Sequence, residues 1–200
     1  MGKEIDLLRD YPKSKRDITK RLVEKDEKIR TIARRFGKEF FDGDRKYGYG
    51  GFNYNPKYWQ PVIPTLKKNY SLNRNSKILD IGCAKGFLLV DLIKAIPGIS
   101  VTGIDISQYA INNCHPDISQ SVSVGDARFL PYEDSSFDLV LSINTLHNLE
   151  INELSKALKE IERVSSKNSF ITVDAYRNAM EKISMESWNL TAKTMLHVDE

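Results

Sequence analysis

The chain has 200 residues, 40% hydrophobic and 28% charged, with a formal net charge of +3. That is the size and balance of one globular unit able to bury a core. No apolar run nears the roughly 18–20 residues needed to cross a bilayer. The opening MGKEIDLLRDYPK lacks the apolar stretch of a signal peptide, and Asp6 stands where a myristoylation signal needs Ser or Thr. Two cysteines, Cys83 and Cys114, make no disulfide framework and suit a reducing compartment, so a cytoplasmic location is expected.

The charge is uneven. Residues 1–38 hold 13 Lys and Arg against 7 Asp and Glu, while the remainder holds 17 against 20. A basic arm could meet nucleic acid or anionic lipid. Blocks of one sign are absent, so a solvated helix of mixed charge is the simpler expectation, with neither membrane nor nucleic acid as partner.

Residues 14–36 predict an amphipathic helix. Ser14 is its candidate N-cap, and Ile18, Leu22, Ile29, Ile32, Ala33 and Phe36 form its apolar stripe. That stripe needs cover, from the core or from a second copy of the chain, so a homodimer is conceivable. Residues 40–55, FFDGDRKYGYGGFNYN, combine glycines with Tyr and Phe and predict a loop that either packs on the surface or serves the substrate site. Residues 57–70 read as a helix broken near Pro61 and Pro64.

From residue 77 strands and helices alternate. Strands are expected near 77–81, 100–105, 121–125, 137–143 and 168–175, and helices near 86–96, 107–114, 151–164 and 179–195. The pattern predicts an α/β fold, a doubly wound and mainly parallel sheet. Residues 1–55 are expected to form an N-terminal helix and aromatic segment, and 56–200 the sheet domain.

The first strand runs directly into a glycine turn and a helix, KILDIGCAKGF, Lys77 to Phe87. Gly82 and Gly86 let bare backbone approach a ligand, and the helix start offers unpaired N–H groups. The second strand ends in Asp105, suitably spaced for a carboxylate on ribose hydroxyls. The turn Gly82-Cys83-Ala84-Lys85-Gly86 lacks the G-x-G-x-x-G spacing of NAD-binding folds.

Taken together, DIGCAKG, GIDIS, GDARFLPYEDSSFDLV and FITVDAY resemble class I S-adenosylmethionine-dependent methyltransferases, over roughly residues 56–196. The resemblance implies a Rossmann-like sheet and S-adenosylmethionine as cofactor. It gives Asp80 and the backbone of Gly82, Cys83, Ala84 and Gly86 to the methionine end, Asp80 holding the ammonium directly or through water. Ala84 replaces the family's usual middle glycine. Lys85 could reach the tail carboxylate, although a solvated lysine is the plainer reading. Asp105 would take the ribose hydroxyls, with Ile106 on the adenine face. Asp126 would accept from the adenine amino group and the Ala127 N–H would meet a ring nitrogen, with Phe129 and Leu130 walling the base. Asn144 would touch cofactor tail or substrate. His147 is the general-base candidate, or else it only closes its loop. Tyr47, Tyr49 and Tyr54 are candidates for a mobile lid hinged at Gly48, Gly50 and Gly51, with Tyr47 and Tyr49 near the reacting groups. His115 and His197 have no metal-binding partners in sequence, so no metal is expected.

Members of this family usually end in an antiparallel hairpin of strands six and seven, and too few residues follow 175 to build it. An N-terminal segment covering the sheet edge would be one remedy; a truncated chain is the other explanation. The segments FGKEFFDGDRKYGYGGFNYNPKYWQPVIP, FITVDAYRNAMEK and WNLTA further resemble a methyltransferase-11-like bacterial subgroup, which implies a small-molecule acceptor such as a sugar or nucleotide sugar. Two other classes remain open: a nucleic-acid methyltransferase, which SINTLHN does not support because it lacks [DNS]-P-P-[YFW], and a cofactor-binding protein without turnover.

Overall fold

The computed structural model describes residues 5–13 and 26–200. Five strands, β1 (Lys77–Ile81), β2 (Ser100–Asp105), β3 (Val122–Val124), β4 (Phe137–Ile143) and β5 (Ser165–Thr172), form one parallel sheet in the order β3-β2-β1-β4-β5. The strand order reverses at β1, flanked by β2 and β4. In such sheets this is where a crevice opens outside the carboxyl ends of the strands.

The central strands explain themselves. In KILDI every residue after Lys77 is buried, as expected for a strand covered on both faces. One face packs Ile78, Leu139 and Leu141 against Leu88, Leu89 and Leu92 of helix α4 (Phe87–Ala95). The other packs Leu79, Ile81 and Val140 against Leu154, Ala157 and Ile161 of α6 (Ile151–Val164). Each fully buried Leu or Ile here contributes about 1.5–3 kcal/mol of transfer free energy.

Helices α1 (Glu27–Ala33), α2 (Lys38–Asp42), α3 (Ile63–Asn69), α5 (Gln108–Asn112) and α7 (Ala179–Trp188) complete the described helices, numbered in chain order with α4 and α6. The expected helix over 14–36 is only partly testable, since Ser14, Ile18 and Leu22 lie outside the described residues. It does not run unbroken. Asp26 is extended, and its carboxylate caps α1 by accepting from the Ile29 N–H at 2.9 Å. At the other end Phe36 adopts a left-handed φ of 48°, so the helix stops before it. Residues 56–62 are turns rather than helix, and α3 begins only at Ile63.

Two further boundaries differ from expectation. Strand β5 begins at Ser165, directly after α6, and leaves the ladder at the Ile143–Thr172 pair, three residues short of 175. Helix α7 ends at Trp188 because the Asn189 side chain folds the next turn onto itself. It accepts from the Ala192 N–H at 2.8 Å and donates to the Ala192 carbonyl at 2.7 Å. The chain then returns so that β7 (Leu196–His197) pairs with β6 (Ala175–Tyr176). This pairing is parallel, so among the described residues no antiparallel hairpin extends the main sheet.

Candidate active site

A cleft of about 650 Å³ opens at the carboxyl ends of β1, β2, β3 and β4. Gly82 and Ala84 line it from β1, Asp105 and Ile106 from β2, Asp126 and Ala127 from β3, and Asn144 and His147 from β4. The structure thus brings together most of the residues that the sequence singles out.

The turn after β1 is held by its neighbours. The Gly82 and Cys83 N–H groups both donate to the Ile104 carbonyl, at 2.8 and 3.0 Å. Gly82 has φ +80°, and a Cβ there would stand 2.1 Å from Thr145 Oγ1, so only glycine fits. Ala84 accepts a left-handed φ of 51°, and its N–H donates to Asp105 Oδ2 at 2.8 Å. Cys83 and Gly86 do not line the cleft. Cys83 is buried under Gly103, and Gly86 starts α4 in a left-handed conformation with no side-chain cap. They shape the turn from behind rather than presenting a surface to a ligand.

Asp80 also lies beneath the floor, almost fully buried and off the cleft wall. Burial, reinforced by the nearby Asp105 carboxylate, pushes its pKa up to about 7. Burial likewise raises Asp105, partly offset by the Ser107 and Ala84 N–H groups that donate to it. Lys85, the turn's own cation, does not neutralise this pair. Contrary to the expectation of a solvated side chain, Lys85 is buried and reaches away to Asp42, at 2.7 and 2.9 Å, and to the Phe52 carbonyl at 2.9 Å. Two buried carboxyls without a described cation fit a ligand whose tail is an ammonium and whose centre is a sulfonium. Asp80 would act on that ammonium from beneath the cleft floor.

On the β2 and β3 side, Ile106 is 57% exposed although apolar, and it faces the cleft. Such a surface suits a flat aromatic ring. Asp126 is less free than the sequence suggests. Its two oxygens take Arg128 Nε and Nη2 and the Arg128 N–H, and Arg128 also pairs with Glu153. The Arg128 hydrogen bonds hold the Asp126 pKa below its usual range. An adenine amino group would share that carboxylate with Arg128. Phe129 is 69% exposed and off the cleft, so it does not wall the base; Leu130 is buried in the core behind it.

At the end of β4, Asn144 is held at φ +53°. Its N–H donates to the Thr172 carbonyl at 3.0 Å, and its Oδ1 accepts from the Thr172 hydroxyl at 3.1 Å. His147 is nearly buried. Its carbonyl accepts from the Lys193 and Thr194 N–H groups, at 2.9 and 3.0 Å. Its Nδ1 accepts from the Asp174 N–H at 3.2 Å, and burial lowers its pKa despite the Asp174 carboxylate nearby. A ring nitrogen occupied as an acceptor is not a free base. Asp174, which the sequence reading passed over, also lines the cleft.

The aromatic segment is packed as a strap. The Asp42 carboxylate accepts from Lys85, from the Tyr109 hydroxyl at 2.7 Å and from the Phe52 N–H at 3.0 Å. Tyr49 stacks on Phe52 with centroids 4.2 Å apart and meets Phe40 and Phe41. A Cβ on Gly48 would stand 2.2 Å from the Phe40 carbonyl, so this glycine serves close packing rather than a hinge. Tyr49 lines the cleft; Tyr47 does not, and Lys46 sits over its ring. Tyr54 turns away to Asp91, Phe87 and His115. Phe40, Phe41, Arg45, Lys46, Gly48 and Tyr49 of the strap line the cleft, and the chain before it is tied to the sheet domain. The Phe36 carbonyl accepts from the Ser107 hydroxyl after β2, while Arg30 on α1 donates to the Glu186 carbonyl on α7 at 3.4 Å.

Comparison with known proteins agrees with this geometry. The methyltransferase-domain family model matches residues 79–173. A tRNA (carboxymethyluridine(34)-5-O)-methyltransferase of Arabidopsis thaliana is 35% identical over 128 residues, covering 64% of this chain and 30% of that protein. The mitochondrial arginine-hydroxylase NDUFAF5 of Mus musculus is 37% identical over 87 residues, covering 43% and 24%. Norajmaline N-methyltransferase of Rauvolfia serpentina is 33% identical over 127 residues, covering 60% and 42%. The chain thus spans less than half the length of each of these relatives. Among solved structures, a SAM-dependent methyltransferase from Methanosarcina mazei superposes with a TM-score of 0.50 at 30% identity, covering 60% of this chain and 62% of that one. Over residues 79–173 the chain carries a methyltransferase domain of the class I S-adenosylmethionine-dependent family.

Proposed function

We propose that this chain transfers the methyl group of S-adenosylmethionine to a small, polar acceptor such as a sugar or nucleotide-sugar derivative. The observation that carries the reading is the convergence of Gly82, Asp105, Asp126 and Asn144 on one cleft from four strand ends. The bound cofactor supplies an already activated methyl group, so the protein's task is alignment and exclusion of water. Asp105 and Ile106 orient the nucleoside half, and the turn from Gly82 to Gly86 shapes the other half. Asn144, His147 and Asp174 face the space left for an acceptor.

Two features favour a compact acceptor. Strap residues and residues 188–191 line the cleft, and its volume is in the range of small-molecule sites. Arg34, Arg35, Arg45 and Lys46 are among its lining residues, which favours a phosphate-bearing molecule. Those same cations, and the tRNA-modifying relative, keep RNA as the second reading. The test is methyl incorporation from labelled cofactor into sugar phosphates and nucleotide sugars, beside incorporation into unmodified tRNA. Turnover on the small molecules supports the proposal. Turnover only on tRNA, with affinity falling steeply with salt, would replace it.

A further inference from the structure

The sequence makes His147 the obvious base, yet the structure commits its ring differently. The Asp174 N–H points at Nδ1, 3.2 Å away, and a nitrogen that accepts a hydrogen bond carries no hydrogen. Burial keeps the imidazole neutral, so the remaining ring hydrogen sits on Nε2. The main chain here is fixed, since the His147 carbonyl accepts from the Lys193 and Thr194 N–H groups, and burial confines the ring.

The Asp174 carboxylate is the other half of the arrangement. It lines the cleft with its side chain 28% exposed, and Oδ2 lies 3.6 Å from His147 Nδ1, too far for a hydrogen bond. Among the described residues, none donates a hydrogen bond to it. His147 is the one ionisable group in the described ion pairs that faces it, and Lys193, whose N–H holds the His147 carbonyl, turns its ammonium to Glu150 at 3.5 Å. The Asp174 carboxylate is therefore an uncommitted acceptor in the cleft wall, beside His147.

We infer that Asp174 is the catalytic proton acceptor, that His147 serves as a hydrogen-bond donor to the acceptor molecule, and that the methylated atom is a hydroxyl oxygen. The inference rests on the methyl-transfer reading above. In the step, a hydroxyl lone pair forms the O–CH3 bond as the S–CH3 bond breaks, its electron pair staying on sulfur. The hydroxyl proton passes to Asp174 Oδ and then to water at the cleft mouth. An oxygen gaining a methyl group becomes oxonium-like and far more acidic than a carboxylic acid, so an ordinary carboxylate suffices as base. An amine would fare worse here. Beside an unpaired carboxylate it stays an ammonium and has no lone pair to offer.

The tautomer is directly readable. Two-bond 1H–15N spectra of the histidine-labelled full chain, with S-adenosylhomocysteine bound and His147 assigned through His147→Gln, should show the hydrogen on Nε2. Because the donor to Nδ1 is backbone, Asp174→Asn should leave that tautomer in place. A hydrogen on Nδ1 would make Nε2 the free base and overturn the assignment. In a second arm, labelled cofactor and a small-molecule extract of the producing cells are given to both proteins. Wild type should yield methyl ethers, and Asp174→Asn should lose about 100-fold or more in rate, with affinity for S-adenosylhomocysteine within about twofold. A methylamine product, or an unimpaired Asp174→Asn, would also overturn it. Failure of the wild type to methylate anything defeats the methyl-transfer reading and the inference with it, whereas the first two failures leave methyl transfer standing.

Discussion

Lys85 Nζ lies 2.7 Å from Asp42 Oδ2, an ion pair that ties the glycine turn after β1 to the aromatic strap. It joins two stretches 43 residues apart, whose neighbours Phe41 and Ala84 both line the cleft. The strap's position is therefore set by the same turn that would hold the cofactor.

Breaking this pair should cost much more than breaking an exposed one. Lys85→Met leaves the Asp42 carboxylate, which is only a quarter exposed, without its cation, and about 3 kcal/mol of stability should be lost. Lys94→Met, whose partner Asp117 is 3.9 Å away at the surface, should change stability by about 0.5 kcal/mol or less. Chemical denaturation of both variants decides this. Equal, small losses would mean that the strap is not anchored by Lys85. Burial opposes ionisation of Asp42, but the hydrogen bonds from Lys85, Phe52 and Tyr109 outweigh it and lower its pKa. The contribution is thus full above about pH 4 and is lost as pH falls through the folded value, a loss that Asp42→Asn should not show.

Asp80 should give the opposite pH dependence. Its folded pKa of about 7 lies above the value of ~3.9 in an unfolded chain, so the folded state holds the proton more tightly. Stability without ligand should fall as pH rises from about 4 to 7, with the full penalty present above 7. Asp80→Asn should flatten that slope and raise the melting temperature at pH 8. A bound ammonium would favour the ionised form, so cofactor affinity should rise over the same window. Identical pH profiles for wild type and Asp80→Asn would refute this electrostatic picture.

Gly82 and Thr145 should behave as a coupled pair. Gly82→Ala combines a left-handed φ with a Cβ 2.1 Å from Thr145 Oγ1, and should cost about 2–4 kcal/mol. Thr145→Ala removes the two nearest atoms but leaves Cβ at 2.7 Å, so it should recover only part of the loss. Strict additivity in a double-mutant cycle would show that the clash is relieved elsewhere.

The central fold was legible because it is written locally. Lys77–Ile81, with a buried run of four followed by glycine, needs no distant information to read as a strand and turn. Asp105 and Asn144 are legible for the same reason, each closing a strand at a predictable place. What was illegible depends on partners far along the chain. Lys85 reads as solvent-exposed until Asp42 is known to lie beside it. The strand over 168–175 reads as continuous through Ala175, but the Asp174 N–H leaves the ladder for His147 Nδ1. That departure also hid Asp174 as a site residue; an acid just past an apolar strand was the one available signal. The Tyr-Gly segment suggested a hinge because composition cannot distinguish glycines needed for motion from glycines needed for contact, as at Gly48.

The most direct test of the central claim is calorimetric titration of the full chain with S-adenosylhomocysteine, for wild type and Asp105→Ala. The four strand ends predict one saturable site in the wild type. Loss of the Asp105 contacts should weaken it by about 1.5–3 kcal/mol, roughly tenfold or more in affinity. Folded wild-type protein that binds nothing up to millimolar concentration, or an Asp105→Ala variant that binds as tightly as wild type, would contradict the account.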